Sequence, residues 1–203
     1  MANFVYVDNS NLWIEGQRVS AVVKGLAPNI WSAIARNILD PLWRIDWRKL
    51  YEFTGAECER AYLYGSRTSA NASIWENAEK VGFKPVTYDR SAANREKKVD
   101  NRIDCDIIEH SYELMRPGAD QVIIVSGDGD FTCVTEKLVK RGFNVEVFSW
   151  NHTMSCDLKQ AASKFVSLDQ WLDYLALKQV GSTSQKDCSS ANSLNNLHRC
   201  RKT

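Results

Sequence analysis

The run Val122–Val125 (VIIV) constrains the fold most. Four β-branched residues in succession leave no polar face, so a strand built from them is covered on both sides. Similar short β-branched or aromatic runs stand at Phe4–Val7, Ala61–Tyr64, Lys84–Tyr88 and Val145–Phe148. Between these runs the apolar spacing becomes helical. Ile30, Ile34 and Ile38 form one stripe, Ile74, Ala78 and Val81 a second, and Ile103, Ile107 and Leu114 a third. The stretch FTCVTEKLVKRGF (131–143) gives a fourth helix, closed near Gly142 where a C-terminal cap belongs. Strands alternating with helices predict an α/β fold with a mostly parallel central sheet covered on both faces. Gly16–Pro28 is the stretch whose pattern assigns least.

A chain of 203 residues suits one domain with a full core. That domain is expected over residues 1–178. Residues 179–203 are polar, serine-rich and weakly basic at the end, too poor in apolar surface to offset the entropy of ordering. They are expected to form a disordered tail through which a protein partner could be recruited. Against 26 lysines and arginines stand 25 acids, so net charge gives no argument for nucleic acid, and any basic surface must be local. No stretch reaches the roughly 18 consecutive apolar residues of a membrane span. The opening MANFVYVDN lacks the basic and apolar regions of a signal peptide. A soluble, cytoplasmic protein is expected. The six cysteines form no CxxC pair and no zinc-like cluster with the three histidines, and are read as free thiols.

Carboxylates gather where strands end. Asp8 follows the first run, and Asp128 and Asp130 follow VIIV in the loop SGDGDF. In open parallel sheets sites lie beyond the carboxyl ends of the strands, where strand order reverses. If the first three strands run outward one way and the fourth returns beside the first, Asp8 and the 128–130 loop become neighbours. A third acidic station begins the helix after the third strand. At 100° per residue, Asp100 and Asp104 fall within the arc of Ile103, Ile107 and Leu114, whereas Asp106 points away. Carboxylates near a helix start also have a purely structural use, stabilising the helix by about 0.3–1 kcal/mol, and aspartate is a common turn former. Crowded together at one sheet edge, however, they repel one another unless a cation neutralises them. Oxygen ligands without nearby Cys or His suit Mg²⁺ or Mn²⁺. Such a site supports in-line displacement at phosphorus, and phosphodiester hydrolysis is the reaction expected.

The blocks FVYVDNSNLW, KKVDNRIDCD and VIIVSGDGDFTCVTEKLVKRGFNVEVFSW, in that order, resemble the NYN domain of the PIN-like nuclease superfamily, with the LabA-like branch the nearest likeness. The likeness spans roughly Asn3 to Leu175. It implies a three-layer α/β/α sandwich and a metal-dependent endoribonuclease leaving 5′-phosphate and 3′-hydroxyl ends. By the same likeness Asp8 matches the first-strand acid, Asn11 its nearby polar residue, Asp100 the acid of the VD motif, and Asp128 and Asp130 the final acidic pair. Metal ligation is expected at Asp8, Asp100, Asp128 and Asp130. Asp106 also matches a frequent family acid, whereas Asp104 stands where the family often has a small residue. The helical wheel ranks these two the other way, so both stand as auxiliary catalytic candidates.

RNA contact requires more than a metal. Arg90, Arg95, Lys97, Lys98 and Arg102 cluster before and within the third acidic station, and Arg67 follows the second strand, where phosphate contacts would adjoin the scissile bond. Solvated surface charge is the plainer reading of that lysine run. Tyr64, Tyr88 or Trp13 could stack an unpaired base, and Trp31, Trp43, Trp47, Trp75 and Trp171 are assigned to the core or its rim. Single-stranded or looped RNA is therefore the expected substrate. Two rival readings are weaker. A haloacid dehalogenase-type phosphatase needs a second aspartate two residues after the first, and Asp8 is followed by Asn9 and Ser10. A regulatory module that binds RNA or protein without turnover would not need the acids intact. Neither a Walker loop nor a GxGxxG fingerprint is present, so a nucleotide cofactor has no support.

Overall fold

Strand pairing fixes the architecture. Six strands, β1 (Asn3–Asp8), β2 (Ala61–Arg67), β3 (Lys84–Asp89), β4 (Gln121–Val125), β5 (Asn144–Ser149) and β6 (Lys164–Ser167), form one sheet in the order β3-β2-β1-β4-β5-β6. Every pairing is parallel, with Val7 beside both Leu63 and Val125. The computed structural model describes residues 2–57, 60–68, 71–89 and 96–178, and for residues 88, 89 and 96–101 it describes the backbone alone. The chain thus runs outward through β2 and β3, then returns to the other side of β1 as β4. Strand order reverses between β1 and β4, as the positions of the acids require.

Alternate side chains of the strands point to opposite faces, and both faces are buried. On one, Val5, Val7, Leu63, Ile123 and Val125 pack with Leu12, Trp43, Trp47, Leu50, Trp75 and Trp150. On the other, Phe4, Tyr6, Tyr62, Tyr64, Val122 and Ile124 pack with Ile103, Ile107, Phe131, Val134 and Leu138. The helices are α1 (Asn9–Val23), α2 (Ile30–Ala35), α3 (Trp47–Phe53), α4 (Ala72–Val81), α5 (Glu96–Glu113), α6 (Thr132–Lys140), α7 (Cys156–Ala161) and α8 (Leu172–Leu175). The result is a three-layer α/β/α sandwich.

Several local expectations need correction. The weakly patterned stretch belongs largely to α1, whose buried residues are Leu12, Gly16, Ser20 and Ala21. Small residues carry no hydrophobic stripe, yet they are needed: a Cβ on Gly16 would reach within 2.8 Å of the Trp150 ring and closer still to Trp43. The Ile30–Ile34–Ile38 stripe does not face the core. In α2 the buried residue is Ala33, Ile34 is exposed, and Trp31, assigned to the core or its rim, is 67% exposed. β6 was missed because this short edge strand has only Phe165 and Val166 as apolar members. The third stripe drew on Leu114, which lies beyond the end of α5 and is exposed. Measured from the centre of that stripe, with or without Leu114, Asp104 and Asp106 lie about 80° to either side, so the wheel does not separate the two. Asp106, expected to point away, is in fact buried against β2. The tail assigned to residues 179–203 lies outside the described residues.

Candidate functional site

Asp8 closes β1 and opens α1. Its Oδ1 accepts hydrogen bonds from the Ser10 and Asn11 backbone N–H groups (3.0 and 3.3 Å) and from Ser10 Oγ (2.7 Å), capping the helix. Its Oδ2 accepts from Ser126 Oγ at 3.3 Å. Burial pushes the carboxyl upward from its ordinary range, and these hydrogen bonds pull it back only in part.

The loop after β4 is built onto that cap. Ser126 Oγ accepts from the Asp128 N–H at 3.3 Å, so one hydroxyl bridges the Asp8 carboxylate and the Asp128 backbone. Gly127 N–H donates to Asn11 Oδ1 at 3.1 Å. Asp128 Oδ1 in turn accepts the Asp130 N–H at 3.0 Å, capping the 3₁₀ turn Gly129–Phe131, which buried Phe131 anchors in the core. Gly127 also lies against the loop after β5. A Cβ there would collide with Ser149 Oγ and come within 2.6 Å of Thr153 Oγ1 and 2.7 Å of the Thr153 carbonyl. Asp128 is half-buried, and Asp130 is exposed.

Helix α5 presents its two auxiliary acids in opposite directions. Half-buried Asp104 has its carboxyl pushed up to about 6 by burial and then by the charge of Asp130, against the pull of Lys137. Its Oδ1 is buried without a hydrogen-bond partner among the described residues. Asp106 accepts from Tyr64 OH at 3.0 Å through Oδ2 and pairs with Arg102 Nε at 2.6 Å through Oδ1.

The structure thus joins Asp8, Asn11 and the Asp128–Asp130 loop, sets Asp104 beside Asp130, and turns Asp106 toward β2. Asp100, Lys97 and Lys98 have helical backbone in α5, but their side chains fall outside the described residues, as does all of Arg90 and Arg95. Arg67 ends β2 with 47% of its side chain exposed, 4.0 Å from Glu76. Tyr64 is fully buried and so cannot stack a base; Trp13 is half-buried, and the Tyr88 side chain lies outside the described residues. Ser10, Ser126 and Gly127 escaped the sequence reading. Their signal was adjacency to the acids, which a motif centred on charge passes over.

The donor set is all oxygen, and beside it Asp104 Oδ1 is buried without a partner among the described residues, so the site fits a hard divalent cation in kind. Among the described residues no three Asp, Glu, His or Cys side chains come close enough to hold one ion. The Asp100 side chain is not among them. Among those described, Cys105, Cys133 and Cys156 are free thiols, and no helix is long and apolar enough to cross a membrane.

Comparisons with known proteins agree with this architecture. No curated protein matches the chain. Among solved structures, a crystal structure of a protein of unknown function from Vibrio parahaemolyticus matches with a TM-score of 0.58 at 20% identity. The match covers 87% of this chain and 96% of that one, and at such identity it is a likeness of fold alone. The NYN domain family model matches residues 5–169, from within β1 to the turn after β6. With most of its length matched and the sheet order that sets Asp8 beside the Asp128 loop, the chain belongs to the NYN domain family, within the PIN-like nuclease superfamily.

Proposed function

We infer that the protein is a metal-dependent endoribonuclease of the LabA-like branch, acting in the cytoplasm on single-stranded or looped RNA. The observation that carries this reading is the Ser126 bridge, which holds the Asp8 carboxylate against the loop bearing Asp128 and Asp130 at the point of strand reversal. Membership of a nuclease superfamily supports the same reaction class.

In this reading residues 1–178 form the nuclease unit. Asp8, Asp100, Asp128 and Asp130 would hold Mg²⁺ or Mn²⁺. Such an ion supplies Lewis-acid polarisation of a phosphoryl oxygen and a more acidic water. The chain's own contribution is placement. The Asp8 cap and the Asp128 cap fix two carboxylates through backbone hydrogen bonds rather than through mobile side-chain contacts. Asn11 spends its carbonyl oxygen on Gly127, which aims its amide NH₂ for a phosphate oxygen or a water. Asp104 stands as an auxiliary acid beside Asp130. Arg67, Arg95, Lys97, Lys98 and Arg102 supply phosphate contacts along the strand. Cleavage leaves 5′-phosphate and 3′-hydroxyl ends.

The direct test is cleavage of a mixed RNA pool by purified protein with Mn²⁺, with Mg²⁺ and with EDTA, beside Asp128→Asn. Metal-dependent cutting that the variant loses is the expected result. RNA left intact under every condition would overturn the nuclease reading.

A further inference from the structure

We propose that His152 and Glu15 form a positioning pair, whose contact ties the loop after β5 to α1 and so holds the Asp128 loop in place for the metal. This inference rests on the metal-dependent nuclease reading and adds two residues to it.

Three contacts close a ring through Gly127. Its N–H donates to Asn11 Oδ1 on α1 at 3.1 Å, and its carbonyl accepts the N–H of Ser155, in the loop after β5, at 2.9 Å. The third contact, between Glu15 Oε2 and His152 Nε2 at 2.8 Å, joins α1 to that same loop. Glu15 stands four residues beyond Asn11, so the two lie on one face of the helix. Each reaches a different loop at the carboxyl edge of the sheet. Gly127 directly precedes Asp128, so what shifts the ring shifts the acid.

The pair is nearly buried, with 7% of the His152 side chain and 15% of the Glu15 side chain exposed. Contacts at such depth are screened by salt far less than surface pairs. A carboxylate only accepts, so His152 Nε2 carries a proton and donates it whether the imidazole is neutral or charged. The other Glu15 oxygen is taken by Arg18 Nη1, which orients the carboxylate toward the histidine.

Holding the fold together does not require this tie. The turn Trp150–Thr153 is already anchored where it starts, since buried Trp150 donates Nε1–H to the Leu12 carbonyl at 2.9 Å. Thr153 Oγ1 is bonded back to Ser149 Oγ at 2.7 Å. What His152 adds is a direct link to the helix face that carries Asn11. Its loss should leave the turn formed and free the Asp128 loop to shift against Asp8.

The test compares His152→Leu, His152→Gln, Glu15→Ala and the double variant His152→Leu/Glu15→Ala with wild type, all well below their melting midpoints. Hydrogen exchange of the 126–131 segment is followed in metal-free protein, Mn²⁺ binding by calorimetry, and steady-state cleavage of single-stranded RNA provides KM and kcat. His152→Leu is expected to speed exchange across 126–131, to weaken Mn²⁺ binding several-fold and to lower kcat by about tenfold or more. KM should change far less, because neither side chain is assigned to RNA. His152→Gln should recover most of each loss, since its amide can donate to Glu15. Glu15→Ala breaks the same tie from the other side, which keeps the test decisive if His152→Leu folds poorly. The double variant should be no worse than either single one, since both act through one contact. A purely structural tie would lower the melting midpoint and leave Mn²⁺ affinity and kcat of the folded protein at wild type. That outcome, a glutamine no better than leucine, or a raised KM with unchanged kcat would each overturn the proposal and leave the nuclease reading standing. Wild-type protein that binds Mn²⁺ but cuts no RNA would overturn the nuclease reading alone, because exchange and Mn²⁺ affinity still decide the positioning role. Wild-type protein that binds no Mn²⁺ would overturn both.

Discussion

Gly127 N–H donates to Asn11 Oδ1 at 3.1 Å, joining the start of α1 to a loop 116 residues further along the chain. The bond ties two carboxylate stations into one unit, because Asn11 N–H also donates to Asp8 and Gly127 directly precedes Asp128.

Asn11→Ala removes the acceptor and strands the N–H of buried Gly127, a loss of roughly 1–3 kcal/mol. Thermal unfolding should register it as a lower midpoint, and RNA cleavage should fall by about two orders of magnitude as the loop loses its alignment. Asn11→Ser, too short to reach, should behave in the same way. Wild-type activity in Asn11→Ala would show that the amide neither aligns the loop nor touches substrate.

Gly127→Ala should be worse for the fold than Gly129→Ala. The first places a Cβ against Ser149, Thr153 and the Thr153 backbone, whereas the second meets only the Ser155 side chain, Oγ at 3.1 Å and Cβ at 3.4 Å. Overpacking of this kind costs about 1–3 kcal/mol. Parallel melting curves of the two variants give the comparison, and equal midpoints would contradict the packing described.

Asp8→Asn and Asp128→Asn separate charge from capping. Asn keeps an oxygen that can accept the capping N–H groups, so both variants should fold. In metal-free buffer at neutral pH, Asp8→Asn should melt at or above wild type, because it removes a buried carboxylate that burial disfavours as an anion. Saturating Mn²⁺ should raise the wild-type midpoint, adding about 2.7 kcal/mol of stability at a hundredfold excess over its dissociation constant. Neither variant should gain comparably, and neither should cut RNA.

Asp104 gives a pH signature. Its folded-state pKa, about 6, lies above the ordinary 3.8, so the folded state binds the proton more tightly than the unfolded state does. The stability this contributes is present in full below the unfolded value and is lost as pH rises through about 6. Asp104→Asn removes that loss. Without metal, its melting midpoint should exceed wild type at pH 8, and the gap should close as pH falls through 6 toward 4. A gap that widens toward acid would reverse the sign and refute burial as the cause.

How legible was this molecule in its sequence? Five of its six strands were, because β-branched runs buried on two faces admit few alternatives, and the reversal at β1 is the condition under which the acids at the strand ends meet. Helices that pack through small residues were not, since Gly16, Ser20 and Ala21 in α1 carry shape rather than hydrophobicity. Asp106 shows a third kind of limit. On the wheel it lies as far from the centre of the Ile103, Ile107 and Leu114 stripe as Asp104 does, so the angle alone does not rank the two, and no spacing rule reveals that a tyrosine on β2 waits beneath it. Ser126 was invisible for a related reason: a hydroxyl's role depends on two partners 118 and 2 residues away.

Strand order also sets a timetable. β1 and β4 lie side by side, yet Asp8 and Ser126 are 118 residues apart. During synthesis at about 5–20 residues per second, on the order of ten seconds pass between them. Through that interval β1 has an unpaired edge on the side that β4 will fill, and the first acid waits without the last pair. A nascent chain stalled before Asp130 is therefore both adhesive and chemically incomplete, and insertion of one central strand cures both conditions in a single step.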